Sequence, residues 1–257
     1  MTEAARRSPG TPCWVSLMVH GLDATLDFYR RLFDWEFVPG PRHLGPYVRA
    51  LSDGREVAGI GELPPERRLT VAWTTYLATG DADETAETVR CCGGTVAVGP
   101  LDTGEAGRMV ICADPAGAVF GLWEAGAHHG TALSGPPGTP VWNELVTYDT
   151  AAVGAFYRTV FGYAAEPGDP ADGDRVVLSA DGRPVASLRG AGGELPLGRG
   201  PRWMTSFAVA DADAAAELVA ELGGRVPGPV RDVPAGRAVL VADPEGAVFT
   251  LVGPAGR

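Results

Sequence analysis

One stretch of this chain is written twice. "TPCWVSLMVHGLDATLDFYRRLF" at residues 11–33 returns as "TPVWNELVTYDTAAVGAFYRTVF" at residues 139–161, a spacing of 128. Trp14, Leu17, Phe28, Tyr29, Arg30 and Phe33 map onto Trp142, Leu145, Phe156, Tyr157, Arg158 and Phe161, and the turn Asp53-Gly54-Arg55 onto Asp181-Gly182-Arg183. Further on, "DADETAETVRCCGG" from Asp81 matches "DADAAAELVAELGG" from Asp211, and "DPAGAVF" from Asp114 matches "DPEGAVF" from Asp243. Repeats of about 20–50 residues build solenoids, whereas a period this long means two copies of one domain. The Gly/Pro-rich join "AGAHHGTALSGPPG" separates them. The expected organisation is a tail at residues 1–10, a first domain at 11–126, a linker at 127–138 and a second domain at 139–257.

Each copy reads as strand-helix-strand-strand-strand, twice over. Trp14 to Val19 alternates as a strand, and Leu22, Leu26, Tyr29 and Phe33 then recur at helical spacing. "DWEFV" follows, then "YVRAL" and "EVAGI" joined by a Ser-Asp-Gly hairpin signal. The second half of the copy opens on "AWTTYLAT". Asp81 caps a helix carrying Ala82, Ala86 and Val89, which ends at Gly93-Gly94 before strands "TVAV", "RMVIC" and "AVFGLWE".

Composition narrows the function classes. Hydrophobic residues at 45% and charged residues at 21% are ordinary for a globular protein. No apolar run approaches the roughly 18 residues that span a bilayer. "MTEAARRSPG" has no apolar stretch after its arginines, so it does not read as a signal peptide, and the expected location is the cytoplasm. The net charge of −11, with no Lys/Arg cluster, argues against nucleic acid. Cys13, Cys91, Cys92 and Cys112 lack zinc-site spacing and read as small apolar filler. Lysine and glutamine are absent and Asn143 is the only asparagine, a bias that reads as a GC-rich genome. "GIGELPP" and "GAGG" lack the strand-to-helix context of a dinucleotide fingerprint, so no cofactor is expected.

The "FYRRLF" and "FYRTVF" helices, the "DADxxAxxVxxxGG" helices and the "DPxGAVF" closing strands resemble the vicinal oxygen chelate superfamily of glyoxalases, extradiol dioxygenases and bleomycin-resistance proteins. The resemblance covers nearly all of residues 11–252. It implies an α+β fold, a tandem duplication in which four βαβββ units form two half-barrel clefts. It also implies metal-ligand positions at the start of the first strand, in the fifth strand and in the closing strand. Those fall on Trp14, Thr74 and Gly121 in copy one, and on Trp142, Met204 and Thr250 in copy two. None is an imidazole, thiolate or carboxylate, so a metal site of the superfamily type is not expected. Of the histidines, His20 ends the first strand, His43 sits in a loop, and His128 and His129 are expected to be solvated in the linker.

Strand side chains alternate, so cleft-facing residues lie two apart. That rule places Trp14, Ser16, Met18 and His20 in one cleft and Trp142, Glu144, Val146 and Tyr148 in the other, with Val119, Trp123 and Val248 on the closing strands. The tryptophans either contact ligand or plug the half-barrels in place of a metal. Glu144 is costly on an apolar concave face unless paired or used. It is the expected acid/base, with Tyr148 or His20 as hydrogen-bonding partner. Its alternative is a structural ion pair with an arginine such as Arg175 or Arg202. The substrate-binding set is Trp14, Ser16, Met18, Thr74, Trp123, Trp142, Met204 and Thr250. Asn143 faces the other way and supports structure.

The first functional reading is a metal-independent, non-redox acid/base enzyme acting on an aromatic or polyketide-like small molecule: cyclisation, isomerisation, elimination or addition. The second is sequestration of a small molecule without chemistry, where the net charge favours a cationic ligand. The third, a metal-dependent glyoxalase or dioxygenase, lacks its ligands. The expected partner is a small aromatic molecule, with no nucleic acid or membrane, on a monomer or homodimer.

Overall fold

The computed structural model describes residues 7–40, 45–64, 66, 69–169, 173–192 and 200–255; His43 lies outside them. Copy one runs β1 (Pro12–Val19), α1 (Leu22–Phe33), β2 (Glu36–Pro39), β3 (Tyr47–Ser52), β4 (Arg55–Glu62), β5 (Trp73–Thr79), α2 (Ala82–Cys91), β6 (Thr95–Asp102), β7 (Gly107–Ala113) and β8 (Val119–Ala125). Copy two repeats the order with β9 (Pro140–Thr147), α3 (Thr150–Phe161), β10 (Ala164–Pro167), β11 (Arg175–Ala180), β12 (Arg183–Gly190), β13 (Arg202–Ala208), α4 (Ala212–Glu221), β14 (Arg231–Val233), β15 (Gly236–Ala242) and β16 (Val248–Gly253). The strands form two eight-stranded mixed sheets, ordered β2-β3-β4-β1-β5-β8-β7-β6 and β10-β11-β12-β9-β13-β16-β15-β14. This is the duplicated α+β architecture that the repeat requires. Among the described residues no helix is long and apolar enough to cross a membrane.

Local chemistry accounts for the element ends. Asp53 and Gly54 both take positive φ (50° and 69°), as do Asp181 and Gly182 (49° and 72°), the conformation of a two-residue hairpin turn. Asp81, Asp149 and Asp211 cap α2, α3 and α4 by accepting from backbone N–H groups one turn on. Gly21 cannot cap α1 with a side chain. Glu245, from the other copy, does so instead, accepting from His20 N at 2.8 Å and Gly21 N at 2.7 Å.

Packing divides the chain differently from its repeat. One compact unit comprises Met1–Trp14, Thr74–Gly130 and Asn143–Trp203, and the other Val15–Trp73, Thr131–Trp142 and Met204–Arg257. Each unit therefore draws one βαβββ module from each copy. The first core joins Leu77, Val89, Phe120 and Leu122 to Leu145, Phe156, Tyr157 and Leu188; the second joins Leu17, Phe28, Tyr29 and Trp35 to Phe207, Val239 and Phe249. Asn143 serves the first core, accepting from the Thr75 hydroxyl at 2.9 Å. Phe28, Phe33 and Phe156 are buried as the helical spacing predicts. Phe161 is only half-buried, its ring stacked on Tyr157 and edge-on to Phe120.

The "FY" and "DPxG" motifs meet in these cores. In the first unit Trp203 Nε1 donates to the Tyr157 hydroxyl at 2.9 Å, which donates to Asp114 Oδ2 at 3.3 Å. In the second, Trp73 Nε1 donates to Tyr29 at 3.0 Å, and Tyr29 to Asp243 Oδ2 at 3.0 Å. Both tyrosines are fully buried. Burial, reinforced by the neighbouring aspartate, pushes their phenols well above the ordinary range. Burial likewise raises Asp114 and Asp243, although backbone N–H donors and the tyrosines pull them down. Each tyrosine comes from one copy and its aspartate from the other, so the two motifs lock the copies together.

Candidate functional site

Alternation along β1 is as expected: Val15, Leu17 and Val19 enter the helix-side core, leaving Trp14, Ser16 and Met18 on the face away from the helix. On the corresponding face of β5–β8, in the first unit, Trp14, Tyr76 and Trp123 cluster with Met109 and Ile111. Tyr76 lies opposite Gly121 in the β5–β8 register, and a Cβ added at Gly121 would fall on the Tyr76 ring. The closing-strand position expected for a metal ligand is therefore roofed by an aromatic ring. Trp14 packs edge-on against His128 with ring centroids 4.6 Å apart, and Trp123 donates from Nε1 to the His128 carbonyl at 2.8 Å. The expectation of a solvated linker histidine fails for His128, because two indoles take it up. Thr74 is half-buried on the same strand.

Beside Trp123 lies a cavity of about 270 Å³, also lined by Arg7, Cys13, Thr79, Glu124 and His129, whose Nδ1 is buried without a hydrogen-bond partner. Cys13 donates from Sγ to the Tyr76 carbonyl at 3.4 Å, and burial pushes its thiol up to about 12. Burial thus disfavours its thiolate near neutral pH.

In the second unit Met204 is buried, Trp142 half-buried and Thr250 half-buried opposite Ser206; Val248 is buried, whereas Val119 in the first unit is exposed. Among the described residues no three His, Cys, Asp or Glu side chains gather as a set that could hold a metal ion. The donors at the six superfamily positions do not fit a chelated divalent cation.

A polar face lies on β9–β12, in the first unit. Glu144 Oε2 accepts from Arg189 Nε at 2.7 Å, and Oε1 accepts from the Ser187 hydroxyl at 3.1 Å with Arg175 Nε at 3.5 Å. Arg175 Nη2 donates to Ser187 Oγ at 3.4 Å. The register explains the grouping: β9 runs parallel to β12 with Glu144 opposite Ser187, and β11 pairs with β12 with Arg175 opposite Arg189. Glu144 thus does not stand alone on an apolar surface. It takes the alternative course, an ion pair with Arg175, and adds Arg189, which the sequence reading did not name. Arg202 donates instead to the Gly200 carbonyl at 3.1 Å.

The equivalent face of β1–β4, in the second unit, is built from the opposite chemistry. At the same spacing of 128, Glu144, Arg175, Ser187 and Arg189 correspond to Ser16, Tyr47, Gly59 and Gly61. Ser16 lies opposite Gly59 and Tyr47 opposite Gly61. A Cβ at Gly59 would fall on the Tyr47 phenol, and one at Gly61 would meet both Tyr47 and the Met18 sulfur. Tyr47 fills there the space that a charged quartet occupies on the other face.

Two predicted partners of Glu144 are not brought to it. Tyr148 is 61% exposed just beyond β9. His20 belongs to the other unit, where its ring bonds the Leu69 carbonyl at 3.2 Å in an exposed position. Arg189 was legible in principle, since Ser187 and Arg189 stand two apart on a strand whose counterpart carries two glycines.

Comparison with known proteins agrees with this architecture. The family model of the glyoxalase/bleomycin resistance protein/dioxygenase superfamily matches residues 13–122, and that of a glyoxalase-like domain matches residues 144–252. The chain is 37% identical to the putative glyoxylase CFP32 of Mycobacterium bovis, covering 99% of each. It is 36% identical to the anthracycline biosynthesis protein DauV of Streptomyces sp. strain C5, covering 96% of this chain and 94% of the relative. Among solved structures it is similar in fold to the Mn(II)-bound glyoxalase of Novosphingobium aromaticivorans, with a TM-score of 0.64 at 18% identity, covering 95% of this chain and 82% of the other.

Proposed function

From the premise that the chain belongs to the glyoxalase/bleomycin resistance protein/dioxygenase superfamily, we propose that it acts on an aromatic, polyketide-like small molecule in bacterial secondary metabolism, without a chelated metal. The observation that carries the metal-free reading is the Tyr76 ring over Gly121, together with Trp14 packed on His128, at positions where the superfamily chelates. Aromatic side chains on the strand faces suit a flat hydrophobic ligand, with a few polar groups to orient it. The anthracycline biosynthesis relative, matched over almost its whole length, supports the metabolic setting.

A non-redox proton-transfer step remains the enzymatic form of this proposal. Sequestration without turnover is the second reading, favoured by one observation: Glu144, the expected acid/base, is held by two guanidinium groups and a hydroxyl. Incubating the purified chain with a panel of polycyclic aromatic polyketides, with and without chelator, separates the two. Chelator-insensitive product formation by liquid chromatography–mass spectrometry supports the enzyme. A chelator-insensitive thermal shift without product supports sequestration. Activity abolished by chelator and restored by a divalent cation overturns the metal-free proposal.

A further inference from the structure

The charged quartet on β9–β12 specifies something about the ligand that the aromatic walls do not. Two guanidinium groups, Arg175 and Arg189, flank the one Glu144 carboxylate in a chain whose net charge is −11. Asp174, the neighbouring carboxylate in sequence, is turned away from this face. It sits one position from Arg175 on alternating backbone and accepts from Thr150 of α3 at 2.9 and 3.1 Å, on the helix side.

The geometry of Arg189 matters more than the charge count. A guanidinium has five N–H donors arranged in a rigid fork, and Glu144 engages this one through Nε at 2.7 Å. That bond fixes the plane of the group. It leaves the Nη1/Nη2 edge of a side chain that is 33% exposed to accept a two-oxygen anion side-on, in the geometry of Arg–carboxylate pairs. Ser187 and Arg175 hold the other Glu144 oxygen, so the carboxylate is fixed from both sides.

The equivalent face in the other copy shows what this position looks like when no charge is to be received. There Tyr47 closes over Gly59 and Gly61, and Ser16 replaces the glutamate. Keeping three charged groups on a partly buried face is costly in desolvation, and packing a tyrosine on two glycines is the cheaper solution that the same fold already uses.

We infer that the β9–β12 face recognises an aromatic carboxylate, with Arg189 as the direct contact of the ligand carboxylate. This rests on the proposed aromatic ligand and narrows its class. It also reverses the expectation from net charge, which favours a cation: long-range repulsion slows an anion's approach, but the local fork decides what is held.

Three probes of one shape test the inference on the full chain by isothermal titration calorimetry: 2-naphthoate, the neutral 2-naphthylmethanol and the cationic 2-naphthylmethylammonium. The naphthoate should bind more tightly than the alcohol by about 10- to 100-fold, the range expected for charge-assisted hydrogen bonds. Arg189→Met should remove that preference, with circular dichroism and the melting curve of the variant showing that it is folded. Arg189→Lys, which keeps the charge without the fork, should recover only part of it. Equal binding of the three probes, tighter binding of the cation, or a naphthoate preference that survives Arg189→Met overturns the carboxylate inference and leaves the aromatic reading standing. No binding of any probe to the wild-type chain overturns both.

Discussion

Tyr157→Phe removes a single oxygen atom, and the structure gives a definite expectation for its cost. That hydroxyl is fully buried, accepts from Trp203 Nε1 at 2.9 Å and donates to Asp114 Oδ2 at 3.3 Å. Phenylalanine fills nearly the same space, so cavity and transfer terms are small. The loss lies in two stranded polar groups, each costing about 1–3 kcal/mol when left unpaired in a core. The aspartate is partly protected, because its Oδ1 keeps the Ala116 and Ala118 N–H groups at 2.9 Å. The expected destabilisation is therefore about 2–4 kcal/mol, a fall in Tm of about 4–16 °C for a chain of this size. Guanidinium unfolding followed by tryptophan fluorescence measures it. Adding Trp203→Phe removes the stranded donor, so the double variant should lose less than the sum of the single losses. A loss below about 0.5 kcal/mol, or strict additivity, would refute the argument that the "FY" and "DPxG" motifs lock the cores.

Three further outcomes follow. Burial raises the Asp243 carboxyl, so its stabilising contribution is fully present below the unfolded value of about pH 4 and is lost as pH rises through the folded value. The advantage of wild type over Asp243→Asn in melting temperature should be largest in acid and shrink towards neutrality; growth with pH contradicts this. Burial pushes Cys13 and Cys112 up to about 12, whereas Cys91 is exposed, so a thiol reagent at pH 8 should label Cys91 quickly and the first two only after unfolding. Fast labelling of Cys13 in the native chain tells against its burial. Glu144→Gln should cost about 1 kcal/mol of stability through its partly buried ion pairs and change any turnover less than about tenfold. A fall of about 10²–10⁴ in turnover with the fold intact would reinstate Glu144 as the acid/base.

Much of the fold was legible because it is written as periodicity. Leu22, Leu26, Tyr29 and Phe33 mark α1 at helical spacing, and Asp53-Gly54 marks a turn that only a short list of residues can make. What stayed hidden depends on contacts distant in sequence. No local pattern says that Glu245 caps α1 from the other copy, or that Tyr29 reaches Asp243. At the site, alternation correctly separated Trp14, Ser16 and Met18 from the core-facing Val15 and Leu17. It could not reveal what stands across from Glu144, because the register of β12 against β9 is a long-range choice. Tyr76 over Gly121 was hidden for the same reason: a glycine in a strand reads as a weak point until the ring that covers it is located.

The central proposal is that the chain works without a chelated metal, with aromatic rings at the β5–β8 positions where the resemblance places ligands. Elemental analysis of the purified chain, before and after incubation with excess Mn(II), Fe(II), Ni(II) and Zn(II) and desalting, tests it most directly. The account predicts well under one equivalent of any transition metal in every sample, with a melting temperature unchanged by chelator. One equivalent of retained metal, removed by chelator with loss of ligand binding, would contradict it.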